Sequence, residues 1–186
     1  MRLGIYSTMS ALPWGGSEHL WSRAARQLLE QGHEVAVNYK WWPETPPPLQ
    51  ALRRAGGAVH ERDRLVGQFP AAAGVWRVGR AVLRRLGVEP SPPGAEWLRR
   101  TRPDCVLVSL GNVQTFPAIA EACRQQGIPY ALLVHLAGWH RWLEGDQVPR
   151  FRRGYRAAER CFFVSEENRA IAEANLAVPL DQEADC

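Results

Sequence analysis

The sequence is poor in lysine, so its positive charge is carried almost entirely by arginine. Lys40 is the only lysine in 186 residues that hold 23 lysines and arginines together, and the formal net charge is +4. Arginine presents a rigid fork of donors that matches phosphate and carboxylate groups, whereas lysine acts as a point charge. The composition therefore favours an anionic partner.

Long apolar runs and paired cysteines are missing as well. No stretch approaches the roughly 18 consecutive apolar residues that a membrane helix needs, and the apolar block after Arg2 is too short for a secretory signal. The four cysteines are widely spaced, without a C-x-x-C pair or a histidine at metal-ligand spacing. These absences predict a cytoplasmic protein without a metal site, in which Cys105, Cys123 and Cys161 are reduced core thiols.

What the sequence does contain is a regular alternation of apolar runs and amphipathic segments. In the first part, strands are predicted at 3–7 and 33–38, separated by a helix that begins at Ser17 and stops at Gln31-Gly32. Strand, helix and strand form a βαβ unit, which implies parallel pairing through a right-handed crossover. The later part repeats this pattern, with strands at 104–109, 130–135 and 160–165 and helices at 114–126, 148–159 and 166–176.

The middle of the chain is less regular. Its predicted elements are a proline-rich loop at 41–48, a strand at 58–61 and helices at 49–55, 71–86 and 95–102. Taken over its whole length, the chain is predicted to be an α/β protein with a Rossmann-like open parallel sheet and helices on both faces.

A glycine-containing turn, Pro13-Trp-Gly-Gly-Ser-Glu18, joins the first predicted strand to the first predicted helix. The turn matches neither the dinucleotide-binding pattern G-x-G-x-x-G nor the P-loop pattern. Glycine lets backbone amides approach an anion closely and adopts positive φ without strain, Ser17 is a natural N-cap, and the helix dipole favours phosphate. By itself, the motif is equally typical of a ligand site and of a purely structural turn.

Three ordered segments resemble family 4 glycosyltransferases. The first is Gly15-Gly-Ser-Glu18 with the helix and Gly32-His-Glu-Val35 that follow, similar to the family's G-G-x-E turn and x-G-H-x-V strand. The second comprises Pro103-Asp-Cys-Val106, Gly127-Ile-Pro129 and Val134-His135, similar to its P-D-V-V, G-I-P and V-H elements. The third, Ala157 to Ser165, is similar to its A-D-x-V-x-x-V-S strand. The resemblance extends over residues 1–176, although the middle of the chain, 41–100, matches no known element.

This resemblance implies the N-terminal half of a GT-B fold, in which two Rossmann-like domains face each other across a cleft. It implies a retaining, metal-independent glycosyltransferase without a cofactor, which transfers sugar from a nucleotide-sugar donor to a glycan, lipid-linked or small-molecule acceptor. Residues 1–176 would form the acceptor-side domain and 177–186 the start of an interdomain linker or a tail. The donor-binding C-terminal domain is expected to be absent from this chain, which alone would be inactive. The alternative is a non-catalytic Rossmann-like module that binds a glycan, a nucleotide or a partner protein.

The resemblance also assigns roles to individual residues. Gly15, Gly16, Ser17 and Glu18 would bind the donor phosphates and sugar, and His135 would be the catalytic residue that contacts the transferred sugar. His135 closes an apolar strand, and the carboxyl ends of parallel strands line the ligand crevice. The alternative for His135 is an imidazole satisfied by nearby backbone groups.

Candidates for acceptor binding follow the later predicted strands; they are Asn112, Trp139, His140 and Trp142. Aromatic faces stack on sugar rings, and amide, indole and imidazole groups form hydrogen bonds to hydroxyl groups. Trp41-Trp42, after the second strand, allows the same interpretation. The structural alternatives are a turn-forming asparagine and tryptophans that cap the core.

Two stretches are rich in arginine. Residues 75–86 interleave arginines with apolar side chains in a basic amphipathic pattern. Such a helix suits peripheral contact with an anionic membrane, at its inner face, but an ordinary solvated helix has the same pattern. The second stretch, 150–156, fits a solvated helix face. Neither stretch lies in a recognisable nucleic-acid-binding module, so no nucleic-acid partner is predicted.

Overall fold

A computed structural model describes residues 1–63, 85, 94–111, 116–138 and 142–180. The strands in these ranges are β1 (Arg2–Ser7), β2 (Glu34–Lys40), β3 (Ala58–Arg62), β4 (Cys105–Leu110), β5 (Tyr130–Val134) and β6 (Arg160–Phe163). The helices are α1 (Gly16–Glu30), α2 (Pro47–Arg54), α3 (Ala95–Thr101), α4 (Pro117–Gln125), α5 (Val148–Arg156) and α6 (Glu166–Leu176).

The strands form one sheet in the order β3-β2-β1-β4-β5-β6, and every pairing is parallel. The chain moves outward from β1 to β3, returns to β4 on the other side of β1, and continues outward to β6. This arrangement confirms the predicted Rossmann-like open sheet. β1 and β4 lie side by side where the strand order reverses, and open parallel sheets bind ligands beyond the carboxyl ends of strands at such a switch point.

Helices cover both faces of the sheet and create two apolar cores. On one face, four helix residues, Trp21 and Ala25 of α1 and Leu49 and Leu52 of α2, cluster with Ile5 of β1 and with Val35, Val37 and Tyr39 of β2. On the other face, α3, α4, α5 and α6 enclose a larger cluster, in which Phe116 packs edge-on against the rings of Phe151 and Tyr155. The burial of this apolar surface fixes the sheet between its helices and holds the strand ends in place.

The predicted elements form wherever they fall on described residues, with ends shifted by up to three residues. The largest shift at a described boundary is at α5, which ends at Arg156 because the Glu159 amide already donates to the carbonyl of Tyr130 (2.8 Å) and so begins the pairing of β6. The predicted helix 71–86 lies outside the described residues apart from the exposed Arg85, as does the predicted helix start at Gln114. Residues 181–186 of the segment predicted as a linker or tail are also outside them.

The described cysteines form no disulfide. Cys123 is fully buried on α4, and burial raises the pKa of its thiol to about 12. Cys105 and Cys161 are only partly buried in their strands. Cys123 is therefore the core thiol that the sequence predicts, whereas the other two lie at the edge of the core.

The prediction of Ser17 as N-cap is wrong. The N-cap residue of α1 is Gly15, in an extended conformation with φ −151° and ψ −175°, and Ser17 lies inside the first turn of the helix. The Ser17 hydroxyl donates to the carboxylate of Glu18 instead of accepting a hydrogen bond from a helix amide. Because α1 already begins at Gly16, Ser17 lies one residue too far along the chain to cap it. Its hydroxyl proton goes to the adjacent buried carboxylate, since charge-assisted hydrogen bonds are stronger than neutral ones.

Candidate functional site

The glycine turn follows a loop that is attached to the switch point of the sheet. The amide of Thr8, just after β1, donates to the carbonyl of Ser109 on β4 (2.9 Å). In the opposite direction, the amide of Gly111, just after β4, donates to the Thr8 hydroxyl (3.1 Å). These two bonds join the loops that leave β1 and β4, so the segment that leads to Gly15 and Gly16 begins at the boundary between the two halves of the sheet.

Neither glycine of this turn is required by the backbone. Gly15 is extended and Gly16 is the first residue of α1, so neither has a positive φ. A Cβ at Gly16 would meet no described atom within 4 Å. A Cβ at Gly15 would lie 3.4 Å from the Met9 methyl and 3.6 Å from a Glu18 oxygen, which is ordinary van der Waals contact. Neither the backbone conformation nor packing against the described residues therefore explains why both positions are glycine.

Two backbone amides in the first turn of α1 lack a hydrogen-bond acceptor. The amides of Glu18 and His19 donate to the carbonyl of Gly15, at 3.1 and 3.4 Å. The amides of Gly16 and Ser17 have no acceptor in the described part of the chain. The start of a helix also carries a partial positive charge. Amides without an acceptor, a helix dipole and two missing side chains together suit the close approach of a phosphate group.

Glu18 ties the turn to the end of β1. Its side chain is buried, with 3% of the residue's surface exposed, and one carboxylate oxygen accepts a hydrogen bond from the Ser7 hydroxyl (2.9 Å). The other oxygen accepts from the Ser17 hydroxyl (2.5 Å), while the Ser7 oxygen itself accepts from the amide of Met9 (3.2 Å). Ser17 and Glu18 thus turn their side chains inward, and the backbone of the turn remains on the outside.

His135 directly follows β5, on the same edge of the sheet. Its amide donates to the carbonyl of Leu110 (3.2 Å), and its carbonyl accepts from the Asn168 side chain (3.4 Å). Burial lowers the pKa of His135 below its ordinary value of 6.5, and the charge of Glu18 opposes this shift. The imidazole is therefore neutral at neutral pH.

The side chain of His135 has an unsatisfied nitrogen. Its Nε2 atom is buried and has no hydrogen-bond partner among the described residues. A buried polar atom without a partner carries a desolvation cost of about 1–3 kcal/mol. The Leu110 carbonyl and the Asn168 side chain bind the main chain of His135, and neither satisfies this nitrogen, so the predicted alternative of an imidazole satisfied by nearby backbone groups is not observed among the described residues.

The predicted acceptor-binding residues fall mostly outside the described part. Asn112, Trp139 and His140 are not among the described residues. Trp142 is described and is 53% exposed. It stands next to Leu143, whose amide donates to the Asn175 side chain of α6 (3.1 Å). The structure thus places the glycine turn and His135 on one edge of the sheet and leaves the acceptor residues as a prediction.

Two cations at the ends of strands are not among the site residues predicted from the sequence. Lys40 is the last residue of β2 and Arg62 the last residue of β3, and the two are register partners. Both side chains form hydrogen bonds with the loop after β1. Lys40 donates to the Ser10 carbonyl (2.9 Å), and Arg62 donates to the Met9 carbonyl (3.4 Å). A basic residue that ends an apolar strand is the only signal of this pair in the sequence.

A groove of about 430 Å³ lies beside this edge, between the loops that follow β1 and β2. Trp14, Trp42 and the segment 43–47 line it. A second groove, of about 320 Å³, lies between α4 and α5 and reaches Tyr130, the first residue of β5. It is at the other end of the strand from His135 and therefore takes no part in the site. Among the described residues, no helix is long and apolar enough to cross a membrane, and no three His, Cys, Asp or Glu residues are grouped as metal ligands.

The sequence profile of Glycosyltransferase Family 4 matches residues 14–182, a range that contains the glycine turn and His135. The chain belongs to Glycosyltransferase Family 4. This confirms the membership predicted from the three motifs. No curated protein matches the sequence of this Family 4 chain.

Two crystal structures of Anabaena Alr3699/HepE are similar to this Family 4 chain. The complex with UDP is 15% identical with a TM-score of 0.51, and the match covers 97% of this chain and 42% of that chain. The complex with UDP and glucose is 14% identical with a TM-score of 0.48, covering 93% and 41%. The chain therefore spans less than half of the Anabaena protein. The similarity to the UDP complex, with its TM-score of 0.51, agrees with the predicted fold, the Rossmann-like half of a GT-B architecture.

Proposed function

We propose that this Family 4 chain is the N-terminal, acceptor-side domain of a two-domain glycosyltransferase. The enzyme transfers a sugar from a nucleotide-sugar donor to a glycan, lipid-linked or small-molecule acceptor, with retention of configuration and without a metal. The observation that carries this proposal is the turn at the start of α1. Neither the backbone conformation nor packing against described residues requires glycine at its two positions, and its amides at Gly16 and Ser17 have no acceptor in the described part of the chain.

The geometry suggests how the turn would act. When the bond between the sugar and the donor phosphate breaks, negative charge develops on the departing nucleoside diphosphate. Fixed backbone donors and a helix dipole, already oriented, stabilise such charge without reorganisation. In this proposal, the amides of Gly16 and Ser17 would do this, and the missing Cβ atoms would let the phosphate approach them. The second domain would supply most of the contacts with the nucleotide.

His135 would contact the transferred sugar. Because its pKa is lowered, the imidazole is neutral at neutral pH, so it exchanges hydrogen bonds with hydroxyl groups without adding a positive charge. Its unsatisfied Nε2 atom is the group that would gain a partner. Glu18, whose charge opposes the lowering of the His135 pKa, would link the turn and the histidine into one unit.

The complete product of the gene that encodes this chain provides the test. Incubated with a panel of nucleotide sugars, UDP-sugars first because the Anabaena protein binds UDP, it should transfer sugar with retention of the anomeric configuration. That outcome is read from the anomeric proton in an NMR spectrum, and EDTA should leave the rate unchanged. The 186-residue chain alone should show no turnover. Inversion, loss of activity in EDTA, or sustained turnover by the chain alone would each contradict the corresponding part of the proposal.

The non-catalytic alternative makes a different prediction. The melting temperature of a binding module would rise when a glycan or a nucleotide is added. The complete gene product would nevertheless release no nucleoside diphosphate from any donor. Contact of residues 75–86 with an anionic membrane remains a separate hypothesis, because those residues, apart from Arg85, lie outside the described part.

A further inference from the structure

The register of the sheet pairs two cations at its carboxyl edge. Lys40 and Arg62 are direct partners across β2 and β3, so their side chains leave the same face of the sheet as neighbours. Like charges at such positions destabilise a sheet, whereas opposite charges stabilise it. At the amino edge, the corresponding pair Arg2 and Glu34 follows this rule, with a salt bridge of 2.6 Å. The cation pair at the opposite edge therefore works against folding.

Neither cation has a carboxylate partner at hydrogen-bond distance in the described part of the chain. The Lys40 ammonium donates to the Ser10 carbonyl and lies 4.6 Å from the centre of the Trp42 ring. The nearest carboxylate oxygen to Arg62 belongs to Asp63, 3.8 Å from Nε, and the side chain of Asp63 is 60% exposed. An ion pair at that distance and exposure contributes little. Asp63 and the charge of Glu18 thus compensate Arg62 only in part, and Lys40 has no ion pair among the described residues.

Arg62 is oriented by its surroundings. Its guanidinium lies 4.9 Å from the centre of the Tyr6 ring, and its Nη atoms donate to the Asn38 and Met9 carbonyls at 3.3 and 3.4 Å. Only 18% of the side chain is exposed. A guanidinium has five N–H donors, so these contacts leave others available. A buried, oriented arginine with remaining donors is the arrangement that proteins use for planar oxyanions.

The position of the pair connects it to the candidate site. Met9 and Ser10, whose carbonyls hold the two cations, belong to the loop that leads to the glycine turn. On the other side, Lys40 adjoins Trp42, which lines the 430 Å³ groove with Trp14. A sugar ring in this groove would contact Trp14 and Trp42, and its anionic substituent would have to point toward Lys40, beside Trp42, and away from Glu44, the carboxylate of the lining.

We infer that Lys40 and Arg62 form an anion subsite, which binds a phosphate or carboxylate group carried by the acceptor. That the ligand is the acceptor rests on the proposed function, whereas the existence of the anion subsite does not. The subsite is separate from the amides of Gly16 and Ser17, which face the donor. An acceptor for this enzyme would accordingly be a sugar phosphate or a sugar acid rather than a neutral sugar.

Direct binding to the chain, without a donor, tests the inference. Inorganic phosphate, glucose 6-phosphate, glucuronate and glucose are titrated at low ionic strength, with chemical-shift changes in NMR spectra as the readout. The three anions should bind and glucose should not, and added salt should weaken the binding. The affinities of glucose 6-phosphate and glucuronate, compared with each other, show whether the subsite prefers a phosphate or a carboxylate. Glucose binding as tightly as the anions, or no anion binding at all, overturns the inference.

Variants locate the subsite. Lys40→Glu should weaken anion binding at least tenfold, about 1.4 kcal/mol. Lys40→Gln, which keeps a donor for the Ser10 carbonyl, should also weaken anion binding and should leave the melting temperature nearly unchanged. Arg99→Gln is the control, since Arg99 is an exposed helix arginine that pairs with Glu96. Unchanged anion affinity in the Lys40→Glu variant overturns the inference, and so does phosphate binding that is lost only in Gly16→Ala. Anion affinity that is unchanged in Lys40→Gln, together with a marked fall in its melting temperature, would show that the charge of Lys40 has only a structural role and would overturn it too.

These measurements stand apart from the transfer assay. If the complete gene product transfers no sugar but the chain binds phosphate through Lys40, the proposed function fails and the anion subsite remains. If transfer occurs to neutral acceptors and Lys40→Glu has no effect on anion binding, the subsite fails and the proposed function remains.

Discussion

Substitution of Gly16 by alanine separates the two roles that a glycine could have at the start of α1. The residue is helical without a positive φ, and an added Cβ would meet no described atom within 4 Å. Alanine therefore fits the native backbone and restricts the unfolded chain, which stabilises a protein by about 0.4–1 kcal/mol. For a chain of this size, that gain corresponds to a melting temperature higher by about 1–4 °C.

The same substitution should damage binding. The new methyl group would occupy the space through which a phosphate approaches the amides of Gly16 and Ser17, and displacing a reacting group by about 1 Å lowers the rate roughly 100-fold. We therefore expect a fall of that order in kcat/KM for the nucleotide sugar in the complete gene product. Thermal unfolding of the chain and steady-state kinetics of the gene product measure the two effects.

Gly145→Ala is the matched control. Gly145 is exposed, has no positive φ and has the same open space around an added Cβ, but it lies outside the glycine turn. Its substitution should leave kcat/KM unchanged. If Gly16→Ala destabilises the chain by more than about 1 kcal/mol, beyond the small effect expected of a compatible site, the glycine is structural. If the stable variant retains full kcat/KM, the turn does not meet the donor. Either result refutes the reasoning.

Three further predictions follow from individual contacts. Gly94→Ala should destabilise the chain by about 2–5 kcal/mol in urea unfolding, because Gly94 has φ +89° and a Cβ there would collide with the side chain of α4 that packs above it; a loss below about 1 kcal/mol would contradict the packing described for α3 and α4. Glu18→Gln should lower the pKa of His135 further in an NMR titration, since the Glu18 charge now raises it; an unchanged or higher pKa would show that the two groups are not coupled. Burial lowers the pKa of both His60 and His135 below 6.5, so the unfolded chain binds more protons just below that pH. The free energy of unfolding should consequently fall as the pH drops from 7.5 to 5.5, and a rise over this range would contradict the assignment.

The sheet and its helices could be predicted because their signals are local. Apolar runs of strand length alternate with segments of helical period, and this pattern leaves little choice other than a parallel sheet with helices on both faces. His135 could be singled out for the same reason, since it directly follows an apolar run and the carboxyl ends of parallel strands share one edge.

Other features of the site depend on contacts between distant residues. The inward turn of Ser17 arises because Glu18 is buried against Ser7, a contact with the preceding strand that the capping preference of serine does not reveal. The cation pair depends on the register between β2 and β3, which is set where the sheet assembles. A shift of one residue would place Arg62 beside Tyr39 instead, on the other face of the sheet.

The contrast between the two ends of β1, β2 and β3 bears on how fast a charged substrate finds the enzyme. The amino end carries a neutralised pair, Arg2 with Glu34 at 2.6 Å, whereas at the carboxyl end Arg62 has only the longer ion pair with Asp63 at 3.8 Å, and Lys40 has no ion pair within the described part of the chain. A surface with charge of one sign beside a cleft draws oppositely charged molecules toward it and raises the association rate. Because the Debye length is about 10 Å at 0.1 M salt, this steering would weaken steeply as ionic strength increases. The fold would thus give an anionic acceptor a preferred direction of approach before any contact is made.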